Sequence, residues 1–202
     1  MGGQTPQIIA AQLADQPSVE WAEPNYLITR AEITPNDPRF TEQWALRNNG
    51  SHPGVDIGAP AAWEKTTGSP QTVIAVIDSG IDFTHTDLIN NQWVNASESA
   101  NNRDDDHDGY VDDLHGWDWV TGGNQIKDEQ GHGTAVAGIL AAEGNNGSGT
   151  TGVMWRAGLM SLRVLDSTGM GDVADAVEAI DYAVEHGARV INLSWGLEPK
   201  SS

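Results

Sequence analysis

The apolar residues of this chain predict three β-strands. Residues 73–77 form a continuous apolar run without alternation, which is typical of a parallel strand covered on both faces. Residues 159–165 and 189–194 are also rich in branched apolar side chains and predict two further strands. The chain therefore contains at least three candidate strands of a buried sheet.

Helical patterns lie between these strands. One helix is predicted to start near His132, and a second is predicted over 172–186. In the second helix, four apolar residues recur at spacings of four, three and four, which places them on one face and predicts that this face is turned to the core. The residues of this face are Val173, Val177, Ile180 and Val184.

Strands that alternate with helices predict an α/β fold, with a parallel sheet, helices on both of its faces and right-handed crossovers. The first 35 residues differ, because their four prolines argue against a long helix or strand. We therefore expect two parts, residues 1–35 and residues 36–202.

Composition excludes several function classes. The formal net charge is −19, with 29 acidic and 10 basic residues, so few cations are present to neutralise nucleic-acid phosphates. There is no cysteine, which excludes thiolate catalysis and disulfides. No run approaches the ~18 apolar residues of a membrane span. We expect neither a nucleic-acid partner nor a membrane span, and the N-terminus lacks a signal-peptide pattern.

Two residues are candidates for catalysis. Asp78 directly follows the run 73–77, at the carboxyl end of a predicted strand, where ligands bind in open parallel sheets. An isolated Asp-Ser-Gly is more often a turn cap. His132 lies within Gly-His-Gly-Thr at a predicted helix start. A lone histidine is usually structural, but one in this setting, downstream of a strand-end aspartate, favours a catalytic pair.

Residues 76–82, with 85–88 close behind, resemble the aspartate motif of the subtilisin family, and residues 131–138 resemble its histidine motif. The resemblance extends from about residue 36 to residue 196. It implies a serine endopeptidase acting on polypeptides, with His132 as general base and Asp78 as its orienting partner, in the order Asp, His, Ser known for subtilisin. Ala135 stands where the family usually has a second histidine, a position outside the triad.

The nucleophile is the main departure from the family pattern. In the family, an oxyanion asparagine and the nucleophilic serine come well after the strand that matches residues 190–194, and this sequence ends at Ser202 before either. The resemblance therefore implies a subtilisin-like domain that is incomplete at its C-terminal side. Loss of the serine costs about 10⁶-fold in subtilisin turnover. We expect no peptidase activity from the 202-residue chain alone.

The resemblance also implies a substrate groove. The family binds an extended peptide by strand pairing at two segments, where backbone groups supply affinity and pockets supply selectivity. An ordinary glycine-rich loop and a buried tryptophan are the alternative interpretation. The matching residues are Gly169, Met170 and Gly171 in one segment, and Ser194, Trp195 and Gly196 in the other.

Residues 104–113 contain six aspartates and include Asp-x-Asp-x-Asp-Gly, the first half of a calcium loop. Position twelve is His115 rather than glutamate, so this is not a complete EF-hand. The alternative is a solvated acidic loop. The predicted Ca²⁺ ligands are Asp104, Asp106, Asp108, the Tyr110 carbonyl, and either Asp112 or Asp113.

A second structural Ca²⁺ site is implied by the resemblance alone. Many subtilisins hold calcium at positions that match a glutamine, an aspartate and the loop 145–150 of this chain. An Asn/Gly-rich loop without an ion is the alternative. The implied ligands are Gln43, Asp87, Asn146, and the carbonyls of Ser148 and Thr150.

Residues 18–26 resemble the end of the inhibitory propeptide that precedes these proteases. The resemblance implies that residues 1–35 are the remnant of an intramolecular inhibitor, which is cleaved between about Tyr26 and Asn36. It also implies that the full-length form is secreted.

Two other classes stay open at this point. Residues 77–80 also fit the Asp-Ser-Gly loop of an aspartic protease, but such enzymes need two aspartates and a β-rich fold. A calcium-binding or peptide-binding module that has lost its nucleophile is the other alternative.

Overall fold

The computed structural model describes residues 4–26 and 32–197. The chain divides into two compact units, Met1–Glu32 and Ile33–Ser202. The first unit contains helix α1, Pro6–Ala14, whose N-cap Thr5 accepts a hydrogen bond from the Ile8 N–H at 3.4 Å. Proline is compatible with the first turn of a helix, so these residues form a short helix despite their prolines. Within the described residues, no helix is both long and apolar enough to cross a bilayer.

The second unit is built around a four-stranded sheet in the order β2-β3-β1-β4, and all three strand pairs are parallel. This confirms the predicted α/β fold. Strand β2 had no clear apolar pattern and was not predicted. The strands are β1 Gly68–Asp78, β2 Gly116–Asp118, β3 Arg156–Arg163 and β4 Val190–Asn192, and the helices are α2 Ala59–Trp63, α3 His132–Ala141 and α4 Val173–Glu185.

Helices cover both faces of the sheet, as predicted. Alternate side chains of β1 point to opposite faces, because successive residues of a strand alternate. Ile74 and Val76 pack in a cluster with Ala137 of α3. Ala75 and Ile77 pack in a second cluster with the side chains of α4. The apolar run of β1 is therefore continuous because both faces are buried.

The buried face of α4 differs from the predicted one. Val173, Val177 and Val184 are 57%, 51% and 62% exposed, and Ile180 is only partly buried. The prediction was wrong because it assigned the buried face from the large apolar side chains and did not consider the alanines. Alanine lets a helix approach a sheet closely. The residues that face the core are Ala176, Ala179, Tyr182 and Ala183.

Neighbouring residues of α4 provide a test of this orientation. We expect Ala183→Leu to destabilise the protein by about 1–3 kcal/mol, because a fully buried methyl is replaced in a packed layer. Val184→Gln, one residue along on the exposed face, is expected to change stability by less than about 0.5 kcal/mol. Urea unfolding of both variants checks this, and the reverse ranking would contradict the observed orientation.

Candidate active site

The carboxyl end of β1 places Asp78 at the edge of the sheet, between β3 and β4. Its side chain is fully buried, and Oδ1 accepts the Ser79 N–H at 2.7 Å. His132 is the first residue of α3, and its Nδ1 lies 2.7 Å from Asp78 Oδ1. The fold therefore brings together the two side chains that the sequence motifs singled out.

The hydrogen bond between Asp78 and His132 has a defined direction. An ionised carboxylate only accepts hydrogen bonds, so His132 Nδ1 carries the proton and donates to Asp78. The lone pair of the neutral ring is then on Nε2. Because the His132 side chain is 43% exposed whereas the carboxylate is buried, the ring is accessible to a reacting group. This arrangement can orient an imidazole and stabilise its protonated form.

Asp128 ties the end of β1 to the start of α3, and sequence reasoning missed it. Its Oδ1 accepts from Ser79 Oγ at 2.8 Å and from the Gly131 N–H at 2.7 Å, while Oδ2 accepts the Thr134 N–H at 2.9 Å. Burial raises the pKa of Asp128, but the hydrogen bonds from Thr134, Gly131 and Ser79 outweigh it, so the pKa is below its ordinary value. An acidic residue just before a helix start is the signal that could have identified it.

We expect Asp128→Asn to destabilise the protein by about 2 kcal/mol at pH 7, because hydrogen bonds to a charged acceptor are lost. A lowered pKa means that the carboxylate stabilises the fold above its unfolded pKa of about 3.9, and that this contribution is lost as the pH falls further. The difference between the two proteins should therefore shrink between pH 4 and pH 2. Urea unfolding at several pH values measures it. Asp181→Asn, on the exposed part of α4, serves as the control, and an equal effect of both changes would contradict the role of Asp128.

Arg163 is a second positioning residue that the sequence did not reveal. It lies in register with Asp78 across the β1–β3 pair and is buried. Its guanidinium donates to Asp118 Oδ2 at 3.1 Å and to Glu129 Oε2 at 2.7 Å. These contacts tie the loop that precedes His132 to β2 and β3.

The two predicted substrate segments come after the two strands that flank β1. Residues 169–171 follow β3, and residues 194–196 follow β4, and these strands are the two neighbours of β1. Met170 is 68% exposed, whereas Trp195 is partly buried and donates from Nε1 to the Ile77 carbonyl at 2.8 Å. The Ser194 hydroxyl donates to Asn192 Oδ1 at 2.7 Å. Both segments thus come after strands whose carboxyl ends lie at the sheet edge that carries Asp78.

In the acidic loop, residues 104–113, several carboxylates accept hydrogen bonds from nearby backbone N–H groups. Asp104 accepts the N–H groups of His107 and Gly109, and Asp112 accepts those of Asn101 and Asn102. Asp113 is fully buried and accepts the Tyr182 hydroxyl and the Asn95 amide.

Potential ligand atoms converge in two sets at this loop, Glu98–Asp104–Asp106 and Asp106–Asp108–His186, and the atoms of each set lie within 4.8 Å of one another. Glu98 and His186 were not predicted, because neither belongs to the Asp-x-Asp-x-Asp-Gly pattern of residues 104–109. Burial, with added repulsion from Asp113 and Asp106, raises the pKa of Asp108 to about 6 despite a hydrogen bond from the Tyr110 N–H.

The second predicted calcium region is also compact. Asp87 is buried, with Oδ1 accepting from Asn146 Nδ2 at 3.1 Å and Oδ2 accepting the Thr150 N–H at 3.0 Å. The Gln43 amide is instead paired in both directions with the Thr151 backbone, at 2.7 and 3.0 Å. Ser148 lies in the same loop, where its N–H donates to Asn146 Oδ1.

Asp37 lies beside this region and was missed. Its side chain is buried, Oδ2 accepts the Asn145 N–H at 2.6 Å, and Oδ1 has no hydrogen-bond partner among the described residues. Burial raises its pKa, and the charge of Asp87 adds to this effect. A buried carboxylate oxygen without a donor fits a position beside a bound cation.

Comparisons with known proteins define the family. Residues 69–202 match the sequence model of the Subtilase family, and the chain belongs to that family. It is 37% identical over 193 residues to the Thermophilic serine proteinase of Bacillus sp. (strain AK1), covering 95% of this chain and 41% of that protein. It is also 37% identical over 193 residues to the Cell wall-associated protease of Bacillus subtilis (strain 168), covering 93% of this chain and 19% of that one.

The fold is similar to that of solved proteases. The serine protease of Aeromonas sobria, solved in complex with a chaperone, aligns with a TM-score of 0.63 at 26% identity, over 84% of this chain and 27% of that one. A protease of Pseudoalteromonas arctica PAMC 21717 aligns with a TM-score of 0.56 at 33% identity, over 81% and 51%. The chain spans less than half the length of the two curated relatives named above.

Proposed function

We propose that this chain supplies the aspartate and histidine of an Asp/His/Ser triad in a serine endopeptidase. The 2.7 Å contact between Asp78 Oδ1 and His132 Nδ1, at the carboxyl end of a parallel strand, supports this most directly. His132 Nε2 takes the proton of a serine hydroxyl as the oxygen attacks a peptide carbonyl, and Asp78 stabilises the resulting imidazolium. An aspartic protease is not supported, because Asp78 faces an imidazole rather than a second carboxylate.

The proposed substrate is an extended polypeptide. It would lie between residues 169–171 and residues 194–196, which leave the sheet on opposite sides of Asp78. Peptide backbone would pair with these segments, and Trp195 would line one side of a pocket.

Hydrolysis of a casein substrate by the full-length gene product tests the proposed function. We expect hydrolysis that is abolished by a serine-directed phosphonate, and no hydrolysis by the 202-residue chain alone. Hydrolysis that resists the phosphonate would exclude a serine nucleophile. A full-length product that binds peptide without cleaving it would instead support a non-catalytic module.

We propose that calcium stabilises the fold at two places. The set Glu98–Asp104–Asp106 is one, and its oxygen-only composition suits Ca²⁺. The other lies at Asp87 and the loop 145–150. There the Oδ1 atom of Asp37, which has no hydrogen-bond partner within the described part of the chain, takes the ligand position that the sequence assigned to Gln43. Roles for Asp112 and for the Tyr110, Ser148 and Thr150 carbonyls remain predictions.

Asp37→Asn distinguishes calcium binding from ordinary packing. With Ca²⁺ at about 100 times its Kd, wild type gains about 2.7 kcal/mol per site, and the variant should lose much of this gain. In a calcium chelator, the variant should be as stable as wild type or more so, since burial disfavours the charge of Asp37. Thermal unfolding with and without Ca²⁺ measures both. An equal loss of stability in Asp37→Asn with and without Ca²⁺ would argue against an ion at this site.

Residues 1–35 are proposed as the C-terminal remnant of an inhibitory propeptide, and the mature enzyme is proposed to be extracellular. Trp21 and Tyr26 are 68% and 63% exposed. The proposed cleavage region includes residues 27–31, which lie outside the described residues. N-terminal sequencing of mature protein from culture medium checks both proposals, and a mature chain that retains residues 18–26 would contradict the first.

A further inference from the structure

His186 places an imidazole beside the acidic loop, from a point far away in the sequence. It caps the C-terminal end of α4. Its Nε2 lies 3.2 Å from Asp108 Oδ2 and 4.0 Å from Asp106 Oδ2 and Asp113 Oδ2. The cluster therefore combines a nitrogen donor with carboxylate oxygens, unlike the neighbouring oxygen-only set.

The orientation of the His186 ring is fixed by three contacts. The ring stacks on Tyr182, with centroids 4.0 Å apart and an interplanar angle of 20°, and it meets the Trp93 ring edge-on at 5.8 Å. Its Nδ1 lies 3.0 Å from the Tyr182 carbonyl oxygen. A carbonyl only accepts, so Nδ1 carries the proton and the lone pair of the neutral ring is on Nε2. This second hydrogen bond is the arrangement that metal-binding histidines usually have.

The oxygen nearest to His186 lacks a hydrogen-bond partner in the part of the chain that the structure describes. Asp108 Oδ2 is shielded from solvent and has no partner among the described residues, and the same holds for Asp106 Oδ1. Asp106 Oδ2, the oxygen 4.0 Å from Nε2, accepts from Asn95 Nδ2 at 3.1 Å. Although Asp108 Oδ2 is 3.2 Å from Nε2, the contact does not have hydrogen-bond geometry. A lone pair that faces carboxylate oxygens is repelled unless a positive charge lies between them. The C-terminal end of α4 adds further negative potential.

We propose that Asp106, Asp108 and His186 bind a divalent transition-metal ion such as Zn²⁺, at a site distinct from the calcium set. His186 Nε2 lies 3.2 Å from Asp108 Oδ2 and 4.0 Å from Asp106 Oδ2, within the separation of about 4.4 Å that two donors sharing an ion at about 2.0–2.2 Å can have. An imidazole with carboxylates favours Zn²⁺, Mn²⁺ or Co²⁺ over Ca²⁺, which prefers oxygen only. Asp106 belongs to both sets, so the two ions would share a ligand.

The test is calorimetric titration of the full-length gene product with Zn²⁺ in the presence of saturating Ca²⁺, which fills the oxygen-only set. We expect one Zn²⁺ per chain. The Kd should be at least about 100-fold weaker in His186→Gln, since loss of an outer-shell partner alone already costs about 10–100-fold. His107→Gln is the matched control, because His107 lies in the same loop but belongs to neither set. It should bind Zn²⁺ as wild type does.

A second readout does not depend on the variants. Zn²⁺ should shift the Nε2 nitrogen resonance of His186 and leave that of His132 unchanged. Equal Zn²⁺ affinity in wild type and His186→Gln would overturn the proposal, and so would displacement of Zn²⁺ by Ca²⁺ at equal concentration. Absence of Zn²⁺ binding together with an imidazolium signal at His186 would show an ion pair with Asp108 instead. None of these outcomes depends on peptidase activity.

Discussion

We expect His132→Ala to lower kcat of the full-length gene product by about 10⁶-fold, as loss of the triad histidine does in subtilisin. Asp78→Asn should lower it by about 10⁴-fold, as the same change does in the chymotrypsin-type triad. The histidine change removes the base itself. The aspartate change keeps the shape of the site, but an amide can donate to Nδ1 and so stabilise the tautomer with its proton on Nε2. That tautomer cannot take a proton from serine.

The effects of the two changes on kcat should not be additive. If Asp78 acts only through His132, the double variant should be no slower than His132→Ala alone. Asp82→Asn is the matched control, since Asp82 lies four residues further along and is exposed. It should retain at least a third of wild-type kcat. An Asp78→Asn enzyme within tenfold of wild type would contradict the assignment.

The second large effect is expected at Gly133, where α3 crosses the end of β1. A Cβ at this position would lie 2.2 Å from the Gly80 carbonyl oxygen, a contact between backbones that no side-chain rotation relieves. We expect Gly133→Ala to destabilise the protein by about 3 kcal/mol or more. Any folded fraction should have α3 displaced and the contact between His132 and Asp78 lengthened.

Gly138 offers a control in the same helix. A Cβ there would meet no atom within 4 Å, so Gly138→Ala should be neutral or stabilise the protein by up to about 1 kcal/mol, as expected for alanine in a helix. Urea unfolding measures both stabilities, and the NMR signal of the hydrogen-bonded Nδ1 proton reports the contact. Two alanine variants of equal stability would show that the close approach at Gly133 is unnecessary.

The fold class followed from the sequence because a strand buried on both faces must be apolar throughout. The run at 73–77 identified the central strand β1 in this way. The same reasoning failed for α4, where the core-facing residues include Ala179 and Ala183. Alanines carry little hydrophobic signal, yet their small size is what lets the helix lie close to the sheet. Periodicity located the helix correctly and assigned its faces incorrectly.

The candidate site was predictable only as far as local motifs extended. Asp78 and His132 each lie in a short sequence motif that can be recognised without the structure. In a parallel sheet the carboxyl ends of the strands meet at one edge, which is why the two motifs were expected to lie together. Asp128 was missed because its importance comes from its hydrogen-bond partners, including Ser79, 49 residues away.

The sequence alone determined the alternation of strands and helices, the acidic character and the two motifs that contain Asp78 and His132, because these depend on residue type and local spacing. Only the tertiary structure decided which carboxylates face which partners. It placed His186 against Asp108, and left Asp37 with a buried free oxygen while the Gln43 amide pairs with backbone. The physical reason is that hydrogen bonding and charge interactions act over a few ångströms in space, whereas these residues are far apart along the chain.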